Sequence, residues 1–212
     1  MNHTEATTMR KPKLRELAEA IKAVIKGPYT TKFPAEPSPA APAYRGRGQF
    51  NEDDCVACGG CARICPSNAI DVLDQPHLNP PIRTITRHDD RCVFCGQCEA
   101  QCLTTKGVHL TNHYELSTLD RSACEVSIKK ELALCEICGG VISTKAHLAW
   151  VARKLGAKRF SNPTLILTAH GALELTSPES ARRHDIPIGR SDIVRVLCPT
   201  CRRAVVVSEL WG

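Results

Sequence analysis

Two stretches of the sequence share one cysteine spacing: CVACGGCARICP at residues 55–66 and CVFCGQCEAQC at residues 92–102. Both contain C-x2-C-x2-C-x3-C, and a shift of 37 residues, from Cys55 to Cys92, superimposes the two sets of four cysteines. A tight C-x2-C-x2-C loop can supply three thiolates to a cubane iron–sulfur cluster, and the fourth must come from elsewhere. The duplicated runs predict two [4Fe–4S] sites.

The fourth cysteine of each run is expected to serve the cluster of the other run, as in proteins that hold two such clusters. One predicted ligand set is Cys55, Cys58, Cys61 and Cys102. The other is Cys92, Cys95, Cys98 and Cys65. Disulfides or zinc also use cysteine, but neither explains eight cysteines in a duplicated pattern.

Composition limits the class of protein. The chain has 212 residues, 13 of them cysteine, and only 4% are aromatic. Such a chain forms one or two domains with modest cores, so bound metal is expected to contribute to stability. Cysteines spaced for metals, with no recognisable signal peptide, predict a reducing, cytoplasmic compartment.

The formal net charge of +6 would ordinarily suggest a nucleic acid or a membrane as partner. Four thiolates around an oxidised cubane, or around Zn²⁺, leave about −2 at each site. Three such sites would bring the loaded protein close to neutrality and leave positive charge concentrated at the N-terminus. Because aromatics for base stacking are few, no nucleic-acid partner is expected, and a zinc-ribbon nucleic-acid-binding protein is kept only as an alternative.

Residues 10–26 predict an amphipathic helix, because apolar residues recur with helical period. These residues are Leu14, Leu17, Ala18, Ile21, Val24 and Ile25. Gly27-Pro28 is expected to end the helix. The segment is too short and too charged to span a bilayer, so it is expected to lie on a membrane surface or membrane subunit, or on this protein's own core.

The Pro-rich residues 28–50 predict a semi-rigid, extended strap that runs across a partner's surface. Within it, glycines beside Arg45 and Arg47 would let the backbone approach another chain closely. A plain flexible linker is the alternative.

Residues 50–113 are predicted to form the cluster-binding domain. Alternating apolar residues predict two short strands, and these residues are Ile70, Val72, Val108 and Leu110. The connection at residues 73–90 is long enough for an inserted hairpin, with Ile82–Thr86 as a strand.

A short helix is expected within residues 114–134, where Cys124 stands alone and is predicted to be a buried thiol. Two C-x2-C pairs follow and could form one tetrahedral site. Their cysteines are Cys135, Cys138, Cys198 and Cys201. Zinc is the favoured metal, with mononuclear iron as the alternative.

Between and around the pairs, helices are predicted at Thr144–Leu155 and Pro178–His184. Ile193–Leu197 and Ala204–Val207 are expected to form a hairpin that closes on the metal.

The resulting fold class is α+β: a two-cluster bacterial ferredoxin-like domain with an N-terminal amphipathic helix and a C-terminal zinc-ribbon-like extension. The predicted domains are residues 1–49, 50–113 and 114–212. No catalytic or nucleotide-binding motif occurs in the sequence, so no catalytic residue is assigned and electron transfer is the expected role.

The chain also resembles a known family. The helix is followed by GPYTTKFP at residues 27–34, by Arg45-Gly46 and by the paired cysteine runs. This order is similar to the two-cluster ferredoxin subunit shared by respiratory complex I and group 4 [NiFe] hydrogenases. LALCEIC at residues 132–138 and CPTC at residues 198–201 resemble the zinc-binding tail of the formate hydrogenlyase iron–sulfur subunit.

The resemblance implies a relay between an electron-donor iron–sulfur module (formate dehydrogenase, carbon monoxide dehydrogenase or ferredoxin) and the small and large [NiFe] hydrogenase subunits. It implies that the N-terminal helix contacts membrane-arm subunits, with the protein peripheral on the inner face of the cell membrane. The equivalent subunit of a complex I-like NADH/quinone oxidoreductase is the alternative.

Overall fold

A computed structural model describes residues 13–28, 30–171 and 189–211. The chain has two compact units, residues 1–41 and 42–212. In the first unit, helix α1 (Leu14–Lys26) begins where the Lys13 N–H donates to the Glu16 carboxylate at 3.0 Å. It ends at Gly27, whose φ of 76° favours glycine. Over the described residues, the predicted amphipathic helix and its end are confirmed.

The second unit begins with strand β1 (Gly48–Phe50). Helices α2 (Gly60–Ile64) and α3 (Gln97–Ala100) follow within the two cysteine runs, each directly after a glycine in the left-handed conformation. Strand β4 (Val108–Leu110) follows the second run and pairs antiparallel with β1. This pairing holds the start of the unit beside the segment that follows the second cysteine run.

The residues just before β1 approach the chain's own backbone. The Gly46 N–H donates to the Thr111 carbonyl at 2.8 Å, and the Arg47 N–H donates to the His113 carbonyl at 2.9 Å. A Cβ on Gly46 would lie 2.2 Å from the His113 carbonyl oxygen. The close approach that the glycines permit is therefore made within this chain.

Four strands form an antiparallel sheet: β2 (Ile70–Gln75), β3 (Ile82–His88), β5 (Glu125–Leu134) and β6 (Val141–Thr144). Their order in the sheet is β2-β3-β5-β6. The β2–β3 hairpin confirms the inserted hairpin expected between the cysteine runs. The sheet combines strands from both sides of residue 113, where the sequence predicts a domain boundary. That boundary stays a prediction.

The short helix expected within residues 114–134 is confirmed only as a single 3-10 turn, at Arg121–Cys124. Strand β5 follows it directly and occupies the second half of the segment. Alternate residues of β5 face inward, and Ile128 and Leu132 are fully enclosed. This alternation is the strand signal in the sequence. Pairing on both sides, with β3 and β6, makes β5 a central strand.

Helix α4 (Lys145–Leu155) confirms the predicted helix. The Thr144 hydroxyl caps it by accepting from the His147 N–H at 3.1 Å, and Gly156 follows its last residue. A 3-10 helix at Gly156–Ser161 then leads into α5 (Pro163–Gly171), which the sequence did not predict. The predicted helix at Pro178–His184 lies outside the described residues.

The hairpin predicted around the last two cysteines is wrong. A 3-10 turn occupies Arg190–Ile193, and Ala204–Val207 lies inside helix α6 (Pro199–Trp211). Pro199 suits a first helical position, because its missing N–H would have no partner there. The helical turn buries Val205 completely against Cys135 and Leu197. The extension is therefore mixed in structure, and its zinc-ribbon-like class is not supported.

Candidate metal centres

The two cysteine runs have the same backbone conformation. Positive φ, which non-glycine residues rarely take, recurs here at pairs of positions separated by the same 37 residues as the cysteines, and two of the three pairs contain no glycine. The pairs are Ala57 and Phe94 at 49° and 51°, Gly59 and Gly96 at 80° and 79°, and Asn68 and Thr105 at 50° and 64°. Each loop is thus wound tightly in one way, which turns successive cysteines toward a common point.

Each run surrounds a cavity that contains about 340 Å³ of atom-free space, including its open mouth. Phe50, Ile85 and Val108 line the first cavity together with four cysteines. These are Cys55, Cys58, Cys61 and Cys102. Pro66, Arg87 and Leu110 help to line the second cavity. Its cysteines are Cys65, Cys92, Cys95 and Cys98.

The structure therefore brings together the two sets of four cysteines that the sequence predicts. The fourth cysteine of each run lies in the cavity of the other run. Both cavities lie against one apolar core, formed by Ala57, Ile70, Ile85 and Ile128. The assignment of these eight cysteines as metal ligands remains a prediction, and their placement specifies which four would share each cluster.

Polar hydrogens surround the sulfur atoms. Cys65 Sγ accepts from the Ala69 N–H, and Cys92 Sγ accepts from the Phe94 N–H, both at 3.3 Å. Cys92 Sγ also accepts from Nη2 of the buried Arg87 at 3.2 Å. Hydrogen bonds of this kind stabilise negative charge on sulfur and tune bound metal.

The cysteines differ in how readily they ionise as free thiols. Burial raises the pKa of Cys61 to about 12, with nearby thiolates adding to the rise. Burial also raises the pKa values of Cys55 and Cys98. At Cys65 and Cys102, burial opposes ionisation, but hydrogen bonds to sulfur outweigh it and lower the pKa. Because a metal deprotonates its coordinating thiols, the buried sets suit bound metal better than free thiolates.

The second cavity gives a further test of fit. Nε and Nη1 of Arg87 are buried and find no hydrogen-bond acceptor in the described part of the chain. A buried cation with unmet donors is costly unless negative charge lies close by. Four thiolates holding an oxidised cubane carry about −2, so the cavity fits a cluster in charge as well as in its sulfur donors.

A third set of sulfur atoms lies in the C-terminal part. Its cysteines come from the β5–β6 connection and from the start of α6, and their Sγ atoms all lie within 4.8 Å of one another. They are Cys135, Cys138, Cys198 and Cys201. Cys138 Sγ and Cys198 Sγ are 3.8 Å apart. Tetrahedral zinc–thiolate bonds would separate sulfurs by about 3.8 Å. Among the described residues this is the one further group arranged to hold a metal.

Hydrogen bonds shape both halves of this third site. Cys138 Sγ accepts from the Gly140 N–H at 3.4 Å, and Cys198 Sγ accepts from the Cys201 N–H at 3.5 Å. Burial opposes ionisation of Cys135, but hydrogen bonds lower its pKa to about 7. Burial and the neighbouring sulfurs raise the pKa of Cys201 to about 12. Only a bound cation would favour four thiolates at once.

Sequence reasoning did not find the charged residues around the second cavity. Arg87 and Asp89 are buried, and Arg47 reaches Asp89 from the segment before β1 with Nε 2.7 Å from the carboxylate. The sequence marks these residues only by two opposite charges, Arg87 and Asp89, two positions apart at the end of β3. Cys124, expected to be buried, is half-buried in its 3-10 turn.

Comparison with known proteins agrees with the duplicated sites. Residues 54–106 match the family described as the 4Fe-4S dicluster domain. The chain therefore contains a dicluster, ferredoxin-like domain for [4Fe–4S] clusters, within a mixed helix and sheet structure.

The chain is also related to subunit I of quinone oxidoreductases. It is 32% identical over 98 residues to NAD(P)H-quinone oxidoreductase subunit I of Gloeobacter violaceus, covering 44% of this chain and 46% of the relative. It is 28% identical over 117 residues to NADH-quinone oxidoreductase subunit I 2 of Geobacter metallireducens, covering 52% and 88%. The chloroplastic subunit I of Chloranthus spicatus is 35% identical over 102 residues, covering 44% and 53%.

The chain spans about half the length of the Gloeobacter and Chloranthus relatives, at 46% and 53%. Among solved structures, a chain of the membrane-bound sulfane sulfur reductase (MBS), an archaeal respiratory membrane complex, is 30% identical. That likeness covers 56% of this chain and 62% of the other, and its TM-score of 0.38 is too low to support an argument.

The crossed arrangement predicts the effect of Cys65→Ser. Because Cys65 lies in the cavity of the second run, the substitution is expected to damage that site and spare the site of its own run. After loading with iron and sulfide, the full-length Cys65→Ser variant should lack the EPR signal of the second-run site. It should also contain up to about four fewer iron atoms than the about eight expected for two clusters. Cys58→Ser and Cys95→Ser identify the signals of the first and second runs.

Cys102→Ser is the matched control, since it should damage the site of the first run instead. Selective loss of the first-run signal in Cys65→Ser would contradict the crossed arrangement.

Proposed function

We propose that this chain is an electron-transfer subunit that carries single electrons through two [4Fe–4S] clusters. The first cluster would be held by Cys55, Cys58, Cys61 and Cys102, and the second by Cys92, Cys95, Cys98 and Cys65. The observation that carries the proposal is the gathering of these two sets of four sulfurs in two cavities that share one apolar core. When bound, the clusters supply one-electron chemistry.

The protein's own residues would position and insulate this redox chemistry. Apolar side chains such as Phe50, Ile85 and Leu110 line the cavities and limit the access of water. Backbone N–H groups donate to two of the cysteine sulfurs of the second site, those of Cys65 and Cys92. Such an environment suits the passage of electrons.

We further propose that Cys135, Cys138, Cys198 and Cys201 hold one zinc ion with a structural role. Closed coordination by four thiolates leaves no open position for a substrate. The sulfurs are packed against a small apolar core that includes Ile137, Leu197 and Val205. Mononuclear iron would use the same ligands and is distinguished by its redox signal.

The partners are proposed from the N-terminal features. The apolar stripe of α1 is exposed: Leu14, Val24 and Ile25 are 86%, 84% and 79% accessible. No described helix is both long and apolar enough to cross a bilayer. A stripe of this kind beside basic residues suits a membrane surface or a membrane-arm subunit. We propose a peripheral position on the inner face of the cell membrane, within a larger complex.

Within that class, the particular complex proposed is a membrane-bound [NiFe] hydrogenase of the formate hydrogenlyase type or linked to carbon monoxide dehydrogenase. The third metal centre, beyond the dicluster domain, is the feature that favours it. Electrons would pass between a donor iron–sulfur protein and the hydrogenase small and large subunits.

The equivalent subunit of a complex I-like quinone oxidoreductase is the second candidate. The relatives described above favour it, since they are subunits of quinone oxidoreductases.

Affinity purification of the full chain from solubilised membranes tests the proposal. It should recover about eight iron atoms and one zinc per chain and two reducible cubane signals. A nickel-containing large subunit in the preparation supports the hydrogenase complex, whereas a quinone-reducing assembly supports the second candidate. Recovery as a free monomer without membrane-associated partners would count against both.

Cys198→Ser is expected to weaken zinc binding and destabilise the C-terminal part, because metal-binding free energy contributes to folding. Zinc content should fall below one per chain, and the unfolding temperature should decrease. Both cubane EPR signals should remain. Loss of a redox signal instead would identify iron, not zinc, at this site.

Val24→Glu is expected to weaken membrane association, because it places a charge in the exposed apolar stripe of α1. Burial of a valine is worth about 1.5 kcal/mol or more, so membrane partitioning should fall about tenfold or more. Ala23→Glu, on the opposite face of the helix, is the matched control and should change partitioning little. Sedimentation with membranes measures both variants, and equal losses would rule out the stripe as the contact.

A further inference from the structure

Arg87 is a cation buried beside the second cysteine cavity. It lies near the end of β3, and only 1% of its side chain is accessible. Its Nη2 donates to Cys92 Sγ at 3.2 Å, and its guanidinium carbon lies 5.7 Å from the centre of the Phe94 ring. The second site therefore has a full positive charge in direct contact with one of its sulfurs.

The charge of Arg87 is only partly neutralised within the protein. Asp89 is the adjacent carboxylate, 3.5 Å from Arg87 Nη2, but it also lies 2.7 Å from Nε of Arg47. Two arginines thus share one buried carboxylate. This group carries a net charge of +1 at the edge of the second cavity, in surroundings that screen it weakly.

The fold makes room for this guanidinium. A Cβ added to Gly48 of β1 would lie 1.1 Å from Nη1 of Arg87 and 2.3 Å from its guanidinium carbon. Any side chain at position 48 must therefore displace Arg87. Since a glycine in a strand interior normally weakens the strand, the close approach of Arg87 gives a physical reason for Gly48.

The first cavity has a different arrangement. Arg83 lies four residues earlier on β3, and its Nε and Nη2 bind Asp74 at 2.6 and 2.8 Å. Its Nη1 donates to the Ala57 carbonyl at 3.2 Å, not to a sulfur. Ala57 is the counterpart of Phe94 in the repeat, so the comparison is between equivalent places. An arginine neutralised by its own carboxylate serves the first site, and one with unbalanced charge serves the second.

We propose that Arg87 is a tuning residue that raises the reduction potential of the second cluster. One electron from a low-potential carrier changes the charge of the cluster and its thiolates from about −2 to about −3. Arg87 stabilises that additional charge through its own charge and its hydrogen bond to Cys92. No proton moves, because the guanidinium stays protonated throughout. The inference rests on the proposed two-cluster function.

Redox titration of the full chain, loaded with both clusters and reduced with dithionite, tests the inference by EPR. Arg87→Gln should move the midpoint of the second-run signal to a more negative potential and leave the first-run signal in place. Arg87→Lys keeps the charge and should retain part of the effect. Arg83→Gln is the matched control on the same strand and should leave the second-run midpoint unchanged.

Gly48→Ala provides an independent variant, because it displaces the guanidinium without removing its charge. It should shift the second-run midpoint in the same direction by a smaller amount. If Arg87→Gln does not retain its second cluster, the midpoint potential of the second-run signal in Gly48→Ala becomes the deciding measurement. Gly189→Ala places the same methyl group where no heavy atom lies within 4 Å of the added Cβ and where φ is −141°, and it serves as the control.

The inference would be overturned, with the proposed function left intact, if Arg87→Gln loads both clusters and neither midpoint potential moves. Where Arg87→Gln does not load its second cluster, the same result in Gly48→Ala would overturn it. An equal shift in Arg83→Gln would also overturn it, since the effect would then be general. A wild-type chain that binds no iron would overturn the proposed function and this inference with it.

Discussion

The structure depends on one requirement: four sulfur atoms must meet in each of two small volumes. Three sulfurs of each set come from a loop that reaches the geometry only by taking left-handed backbone, at Ala57 and Gly59 and again at Phe94 and Gly96. The fourth comes from the other run, so each cavity closes only when both runs are in place. Under the proposed crossed ligation the two sites would be interdependent, and bound metal would stabilise the short helices and strands between them.

Strand β3 connects this requirement to electrostatics. Its inward-facing residues are Arg83, Ile85 and Arg87: the isoleucine belongs to the core that both cavities share, and the arginines serve opposite cavities. The inserted hairpin is thus more than a longer connection. It places Arg87 in the lining of the second cavity, whereas Arg83 is paired with Asp74 and contacts only the Ala57 carbonyl of the first loop. These different partners make two cavities of nearly identical backbone electrically unequal.

The sequence predicted the parts of the protein whose physics is local. Cysteine spacing, the apolar stripe of α1, and the Thr144 and Gly156 ends of α4 are each set by residues a few positions apart. By contrast, β5 becomes a central strand through pairing with β3 and β6, and α6 forms where a valine-rich segment also suits a strand. Such outcomes depend on distant packing that overrides local preference. Arg87 and Asp89 were not found for the same reason, since the role of Arg87 depends on the cavity that it lines and the role of Asp89 depends on its contact with Arg87.

Strand β5 also explains why a third metal centre would matter to electron transfer without taking part in it. Seven residues at about 3.4 Å each separate Ile128, in the core behind the cavities, from Cys135, which directly follows β5 and carries the first sulfur of the C-terminal set. Thr144 closes the loop: it caps α4 and its hydroxyl donates to the carbonyl of Val56, inside the first cysteine run. A cation bound at Cys135 would therefore restrain the connection between β5 and β6. Through Thr144, at the end of β6, it would also restrain the loop that presents Cys55 and Cys58.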